Sequence, residues 1–569
     1  MRHNRGSVKQ AVLNLFLGGV AAFTLAASAG AADRSQNNTG LASSFLAGRH
    51  AESVADTDRA LQYLSRAIEL DPNNQSILQS SYFLGVQIGD FSSAMPEARR
   101  AYEGAPNRGI SALLVAADHA RRGDFEKAWM VVDKITVQNV AGFALPLIRA
   151  WVAAPTQPAA SVLNTLQSLK NVRDSAGVLD LMAAQLNEFY GKSSDALARY
   201  DALAGRVESE SIATILMAAE GYDRLGKAAQ AKALLTKFLA VHQGVVSPTV
   251  DAYLDMIGKG AFAKITPQIG LANALYAAAE MLIASNPNDF GAQIGIAFAQ
   301  TALYVNPEFA IARRFVGTTL AARNQLDAAN AMLTTIKRGS PQFAEAQMQI
   351  AENLTRAEKD AEATAILKNL IKDRPNWTDA HLAVGDIARR EKKFGEAVEA
   401  YDAAIKLTPD TQPNAWAIYY TRGIAHERAK NWDAAERDFR KALQLKPDEP
   451  SVLNYLGYSY LDRGVNLKEG RRLIEQAYNK RPDDGYIVDS MGWAYFITGE
   501  YDKAVAALEK AVESTPGDAT INEHLGDAYW KVGRRNEARF QWERALVLGP
   551  EDSQRALITA KIEKGLAQK

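Results

Sequence analysis

MGWAYFITGEYDKAVAALEKAVESTP (residues 491–516) recurs in related form 34 residues further along the chain, as LGDAYWKVGRRNEARFQWERALVLGP (residues 525–550). The two segments align without a gap and share small, aromatic and proline residues at the same places: Gly492 and Gly526, Tyr495 and Tyr529, Gly499 and Gly533, Ala504 and Ala538, Ala511 and Ala545, Pro516 and Pro550. Small residues let two antiparallel helices approach closely, glycine permits a tight turn between them, and proline ends the second helix. The pattern therefore predicts a repeated helical hairpin.

The same pattern extends upstream through most of the chain. It returns around Gly457, Gly423, Gly385 and Gly317, and in weaker form around Gly226, Gly191, Gly123, Gly89 and Gly48. Between residues 241 and 308 the phase slips, and the segments GVVSP, GKG and ITPQ interrupt shorter apolar runs. We therefore expect two sub-arrays of hairpins, with a bend or join between them in this segment.

The period and the residue types at these positions resemble those of the tetratricopeptide repeat family. This resemblance implies an all-α fold, a right-handed α-solenoid in which antiparallel helix hairpins stack and wind into a superhelix with a concave face. We expect an N-terminal degenerate array at 32–240, an irregular helical joining region at 241–308, a C-terminal array at 309–552 and a capping helix at 553–569. In this family the concave face binds other proteins, so protein binding is the implied function.

The first 31 residues have the pattern of a cleaved export signal. Arg2, Arg5 and Lys9 form a basic start, an apolar run covers residues 11–27, and the small residues at 29–31 fit a signal-peptidase site. A retained membrane anchor is the alternative, although the run is short and interrupted. We expect a periplasmic protein, with peripheral attachment to the outer membrane left open. Because the chain has no cysteine, attachment of a lipid through cysteine is excluded.

Composition and motifs argue against several other functions. Lysine plus arginine equals aspartate plus glutamate at 65 each, so no net field attracts nucleic acid. The absence of cysteine excludes thiolate zinc sites and thiol catalysis, and the seven histidines are scattered singly. No phosphate-binding loop or nucleophile elbow occurs. We therefore expect no enzyme activity, no cofactor and no metal, and no stable membrane insertion once the signal is removed.

The candidate binding residues follow from the repeat phase. In the tetratricopeptide family the first helix of each hairpin lines the groove, at positions that are neither the small packing position nor the aromatic one. In the last three hairpins these positions hold an aromatic and acidic set: Asn454, Tyr458, Leu461, Asp462, Tyr486, Asp489, Trp493, Phe496, Glu523, His524, Asp527 and Trp530. Such a set suits an apolar partner segment with a basic neighbour. An ordinary core position is the alternative for Trp493 and Trp530.

A closer resemblance covers residues 457–505 and 522–538. These segments are similar to exported bacterial tetratricopeptide proteins, including the adaptors of periplasmic carboxy-terminal processing proteases. The resemblance implies an adaptor that brings such an envelope enzyme to its substrate and performs no chemistry itself. A scaffold for outer-membrane or polysaccharide export assembly is the alternative. A homodimer is a further open alternative, since terminal hairpins of such arrays can pair with a second copy.

Overall fold

The computed structural model describes residues 32–54, 56–106, 109–136, 143–242 and 247–566. The export signal predicted at 1–31 lies outside the described residues. Within the described ranges the regular structure consists of thirty α-helices and one short 3₁₀-helix, with no strand. The prediction of an all-α fold is therefore confirmed. None of the described helices combines the length and the apolarity that crossing a membrane requires.

The described residues form two compact units that divide after Asp373. The helices of the first unit are α1 (Ala32–Ser53), α2 (Thr57–Leu70), α3 (Gln75–Ile88), α4 (Phe91–Gly104), α5 (Gly109–Arg121), α6 (Phe125–Val132), α7 (Ala144–Ala153), α8 (Ala159–Thr165), the 3₁₀-helix Leu166–Asn171, α9 (Ala176–Phe189), α10 (Ser193–Gly205), α11 (Ile212–Arg224), α12 (Ala228–Val241), α13 (Pro248–Met256), α14 (Pro267–Ser285), α15 (Asp289–Val305), α16 (Ala310–Ala322), α17 (Leu326–Thr334), α18 (Phe343–Arg356) and α19 (Asp360–Asp373).

The second unit contains five successive hairpins and a final helix. Its helices are α20 (Thr378–Arg390), α21 (Phe394–Leu407), α22 (Ala415–Arg428), α23 (Trp432–Leu445), α24 (Pro450–Asp462), α25 (Leu467–Lys480), α26 (Gly485–Ile497), α27 (Tyr501–Ser514), α28 (Ala519–Lys531), α29 (Arg535–Val547) and α30 (Asp552–Lys564). In each hairpin the even-numbered helix comes first. The surface that these first helices form together is called the inner face below.

Turn and cap residues set the length of each hairpin. Gly499 and Gly533 adopt φ values of 80° and 85° between the two helices, a conformation that glycine reaches at little cost. Asp484 and Asp518 cap α26 and α28, the first helices of these two hairpins, and each carboxylate accepts two backbone N–H groups. The glycine turn inferred from the repeat is therefore present in both of the hairpins that define the pattern.

The glycine on each first helix faces a large side chain on the second helix. Gly385 faces Tyr401, Gly423 faces Phe439, Gly492 faces Leu508 and Gly526 faces Trp542, and all four large residues are fully buried. A Cβ atom at position 423 would stand 2.7 Å from the Phe439 ring. The missing side chain is therefore what lets the two helices pack at this distance.

In the first unit, the segment expected to be an irregular join folds as a long hairpin, α14 and α15. This hairpin packs against α3, α5, α7 and α9, which are the first helices of four N-terminal hairpins. Tyr304 stacks on Phe91 at 4.2 Å and donates a hydrogen bond of 2.7 Å to Asp118. Asn273 donates to Gln185 at 3.2 Å in a buried site. The surface that the first helices of the N-terminal hairpins form is therefore covered by α14 and α15 of the same unit. This surface is the inner face of the first unit.

The all-round apolar character of α14 explains why the repeat phase disappears here. A helix that is buried on every side needs no polar stripe and loses the period of an amphipathic repeat. The sequence analysis placed the join between sub-arrays at 241–308, whereas the structure divides the chain after Asp373. The repeat phase is lost where the helices α14 and α15 stop forming a repeat of the array and instead form part of the core of the first unit.

Gly423→Ala tests the close approach of α22 and α23. Alanine favours a helix interior by about 1 kcal/mol over glycine, but overpacking a filled core costs about 1–3 kcal/mol. We expect a net loss of stability in urea denaturation. Gly395→Ala in α21 is the control, because no atom lies within 4 Å of a Cβ there. Equal effects of the two substitutions would contradict the packing.

Candidate functional site

An aromatic cluster lies across α24, α26 and α28, the first helices of the last three hairpins. Trp493 lies at its centre, stacked on His524 at a centroid distance of 4.1 Å and on Phe496 at 4.7 Å. Tyr458 approaches the same imidazole at 6.2 Å. The helices α24 and α26, and α26 and α28, are direct neighbours. Side chains from three hairpins therefore meet on one stretch of the inner face.

Asp489 fixes the position of His524 in this cluster. The imidazole Nδ1–H donates to Asp489 Oδ1 at 2.9 Å, and both side chains are buried. Burial disfavours the charged imidazolium, but the charge of Asp489 and the hydrogen bond to it outweigh that effect, so the pKa of His524 is raised above 6.5. Burial, with Asp489 and Asp462, also raises the pKa of Tyr458. Both shifts favour the protonated forms, which are the imidazolium of His524 and the neutral phenol of Tyr458.

The last helix, α30, supplies a cation to the neighbouring carboxylates. Lys561 Nζ lies 2.7 Å from Glu523 Oε1 and 2.7 Å from Asp527 Oδ2. Trp542 Nε1 donates to the other oxygen of Asp527 at 2.9 Å. Burial disfavours the ammonium, yet the two carboxylates outweigh this and raise the pKa of Lys561. Both acidic residues of α28 are thus paired with a cation of the same chain.

The structure gives the predicted groove residues three different environments. Asp462 and Tyr486 are exposed; Asn454, Tyr458, Trp493, Phe496 and Trp530 are half-buried; Leu461, Asp489, Glu523, His524 and Asp527 are buried. The expectation that the carboxylates await a basic partner is wrong for Asp489, Glu523 and Asp527. Histidine and lysine from this chain already pair with all three.

Trp530 also lies in a different environment from the one expected of a groove residue. Its ring packs at 5.5 Å from that of Trp542, and the guanidinium of Arg535 lies 5.1 Å from its centroid. Gly565, just after α30, lies directly against the same ring. The alternative considered for Trp530, a core position, therefore describes its contacts better than an open groove does.

Lys561 is the residue that the sequence analysis missed. The repeat pattern predicts a capping helix at 553–569 and no specific contact for it. One pattern in the sequence indicates its role. Glu523 and Asp527 lie one turn apart on α28, and the helix that follows the last hairpin contains lysine. Buried carboxylates require a cation, so a lysine of the cap was the nearest candidate along the chain.

Two polar atoms near the cluster lack a hydrogen-bond partner. These are Trp493 Nε1 and Asn454 Oδ1, which are both buried, and among the described residues no donor or acceptor reaches them. Leaving a buried polar group unpaired costs about 1–3 kcal/mol. Two polar groups, one on α24 and one on α26, are therefore left without a hydrogen bond.

Three repeat models match the C-terminal part of the chain. Tetratricopeptide repeat models match residues 350–415 and 416–449, and a model described as TPR repeat matches residues 492–533. These matches support assignment of the repeats to the tetratricopeptide repeat family. Protein-interaction scaffolds are built from such repeats.

Two curated proteins share short stretches with the chain. A TPR repeat-containing protein of Pseudomonas aeruginosa is 36% identical over 88 residues, which is 16% of this chain and 15% of that protein. The E3 ubiquitin-protein ligase CHIP of Arabidopsis thaliana is 29% identical over 107 residues, 18% of this chain and 36% of that protein. The chain therefore spans much less than two thirds of either relative.

Three solved structures are similar to the chain in their helical arrangement. A tetratricopeptide repeat protein from Parabacteroides merdae has 16% identity and a TM-score of 0.38, with 45% of this chain and 97% of that chain covered. The Cut9–Hcn1 hetero-tetramer of the APC/C has 14% identity and a TM-score of 0.37, with 87% and 96% covered. YrrB, described as a TPR protein with an unusual peptide-binding site, has 17% identity and a TM-score of 0.26, with 34% and 97% covered.

Lys561→Met tests the ion pairs between α30 and α28. Removing one partner of a buried pair leaves uncompensated charge and costs about 3–5 kcal/mol, so we expect faster hydrogen–deuterium exchange in both helices. Lys564→Met is the matched control, since Lys564 lies on the same helix and is exposed. Adding Glu523→Gln and Asp527→Asn to Lys561→Met should restore most of the protection. Equal exchange in the Lys561→Met and Lys564→Met variants would contradict this role.

His524→Asn tests the pair with Asp489 through its pH dependence. Because folding raises the pKa of His524 above 6.5, the pair stabilises the protein fully below pH 6.5 and less as the pH rises through the folded-state value. The difference in unfolding free energy between wild type and variant should therefore be largest near pH 5.5 and shrink towards pH 9. Other histidines, such as His119 and His426, are present in both proteins, so their contributions cancel in this difference. A difference that is constant with pH would refute the charged pair.

Proposed function

We propose that the protein is a protein-binding scaffold of the bacterial envelope, specifically a periplasmic adaptor that brings an envelope enzyme, such as a carboxy-terminal processing protease, to its substrate. The observation that carries the proposal is the inner face between α24 and α26. There α24 and α26 carry an exposed aspartate, Asp462, and an exposed tyrosine, Tyr486, and they contribute to a stacked aromatic cluster in which Trp493 Nε1 is unpaired. Tetratricopeptide repeats provide the scaffold on which such a face is presented.

Tyr486 is the most informative residue of this face. Its side chain is 58% exposed, although most large side chains of the last hairpins pack into the core. Aromatic residues give large contact areas at low entropic cost, which is why tyrosine and tryptophan concentrate in binding hot spots. Asp462, exposed at the end of α24, adds a negative charge. We therefore infer an apolar partner segment with a nearby lysine or arginine.

The inner face of the first unit is unsuited to the same task. The α14–α15 hairpin occupies it and buries residues such as Leu275 and Ala299 against the N-terminal helices. A partner would have to displace a core hairpin to bind there. This favours the second unit as the recognition surface.

The envelope location rests on the N-terminal sequence. The basic start, the apolar run and the small residues at 29–31 are typical of an export signal. An adaptor of this kind needs no chemistry of its own, because holding enzyme and substrate together raises their effective concentration. The resemblance at 457–505 and 522–538 supports the choice of a processing protease as the enzyme.

The proposal is tested by crosslinking in periplasm and then by reconstitution. The mature chain and the double variant Asp462→Ala/Tyr486→Ala are used as baits, and the retained proteins are identified by mass spectrometry. Phe540→Ala is the matched control, because Phe540 is an equally exposed aromatic, 60%, on a second helix. We expect one protease to be recovered with wild type and the control, and at least tenfold less with the double variant. The recovered protease should cleave its substrate faster when the wild-type chain is added.

Each alternative predicts a different result. Recovery of outer-membrane or polysaccharide export proteins, without an effect on proteolysis, would replace the adaptor by an assembly scaffold. Equal recovery with the double variant would remove the face between α24 and α26 as the binding surface. Recovery of the protein in the cytoplasmic fraction, with residues 1–31 still attached, would refute the envelope location.

A further inference from the structure

The first unit contains a cavity between α11, α14 and α16 that the scaffold function does not use. Its volume is about 140 Å³. The walls are mostly apolar and include Leu216, Ile311 and Phe315, while Tyr276 and Glu280 of α14 contribute polar atoms. Phe315 and Glu280 are half-buried, so the cavity is reached from solvent.

Glu280 is a half-buried carboxylate that forms no direct ion pair among the described residues. It accepts hydrogen bonds from Tyr276 Oη at 2.8 Å and from Ser211 Oγ at 3.3 Å. Among the described residues no lysine or arginine nitrogen lies within 4.0 Å of it. Other acidic residues of this unit with similar burial, such as Glu188, pair directly with arginine. Glu280 is therefore an exception that needs a physical explanation.

Arg314, which also lines the cavity, is committed elsewhere. Its Nε donates to Gln342 at 2.6 Å, and its guanidinium lies 3.3 Å from the carboxylate of Glu345. Glu345 offsets the charge of Arg314. The carboxylate of Glu280 is therefore the charge of the cavity that has no direct ion pair, and Arg314 acts on it only at longer range.

We propose that this cavity binds a primary alkylammonium group, with Glu280 as its counter-ion and the apolar walls around its methylene chain. This inference does not depend on the adaptor function. The ammonium would supply the missing cation and donate to the free lone pairs of the carboxylate. Both the lysine side chain of a partner polypeptide and a free small amine carry this group.

Size and shape agree with that ligand. An engineered cavity of about 150 Å³ takes benzene, which has six heavy atoms. A lysine side chain beyond Cα, or n-butylammonium, has five. The walls offer apolar surface to methylene groups, and Glu280 is the one acidic residue of the lining, which matches a chain with a single positive charge at its end.

Binding should strengthen as the pH rises through neutrality. Burial raises the pKa of Glu280 to about 7, against the opposing hydrogen bonds from Tyr276 and Ser211 and the charge of Arg314. These three groups face Glu280 from three elements. Tyr276 lies on the same helix, Ser211 lies at the start of α11, and Arg314 lies on α16. The ionised fraction of a group with this pKa rises about tenfold between pH 6 and pH 8. The affinity for an alkylammonium should rise by a similar factor.

The test is a titration of the full mature chain with n-butylammonium, followed by NMR and calorimetry at pH 8. Butan-1-ol, which has the same heavy-atom count and no charge, should bind at least tenfold more weakly. Glu280→Gln should weaken n-butylammonium at least tenfold, whereas Glu362→Gln, an exposed carboxylate of the same unit, should change it less than twofold. Leu216→Phe, which fills the cavity from its wall, should abolish binding while circular dichroism stays unchanged.

Further measurements separate the sources of the ammonium. If the blocked peptide acetyl-Gly-Lys-Gly-amide competes with n-butylammonium, the ligand is a lysine of a partner; if only free amines compete, it is a small amine. Equal binding of butan-1-ol, or an unchanged affinity in Glu280→Gln, would overturn the proposal. So would the absence of n-butylammonium binding to a folded wild-type chain.

Discussion

The distance between the two helices of a hairpin is set by a glycine that faces a large buried side chain. Gly423 against Phe439 and Gly526 against Trp542 are two examples, and in both the ring occupies the space that a Cβ atom would need. This distance fixes where the next hairpin can stack, because each second helix packs on the following first helix. The inner face, the aromatic cluster and the position of α30 all depend on that spacing.

The two units differ in how far their inner faces are covered by other helices. A row of first helices leaves an apolar inner face that must be covered or used. The first unit covers it with α14 and α15, which fill it along four hairpins. In the second unit α30 packs on the last hairpin, where Lys561 pairs with Glu523 and Asp527. The face between α24 and α26 keeps an exposed tyrosine, and because of that difference we propose the recognition role for the second unit.

The sequence predicts the hairpins well because their key contacts are local. A glycine and its facing side chain lie 16 residues apart, as in Gly423 and Phe439, and the pair recurs with the repeat. The phase also places Asp489 and Trp493 on the inner face. It does not predict that Asp489 pairs with His524, or that Lys561 reaches Glu523 across 38 residues. Such pairings depend on side-chain geometry between hairpins, which periodicity does not contain. The role of α14 and α15 escaped prediction because an all-round apolar helix shows no face.

The α14–α15 hairpin also governs the order in which the first unit can mature. Gln300 donates a hydrogen bond to the carbonyl of Gln87, 213 residues earlier. At a synthesis rate of about 5–20 residues per second, roughly 10–40 s separate the appearance of these two residues. The contact of Trp151 with Gly270 of α14 likewise forms only after α14 has been synthesised. Because the core of this unit depends on contacts between residues so far apart in the sequence, we expect the unit to fold slowly.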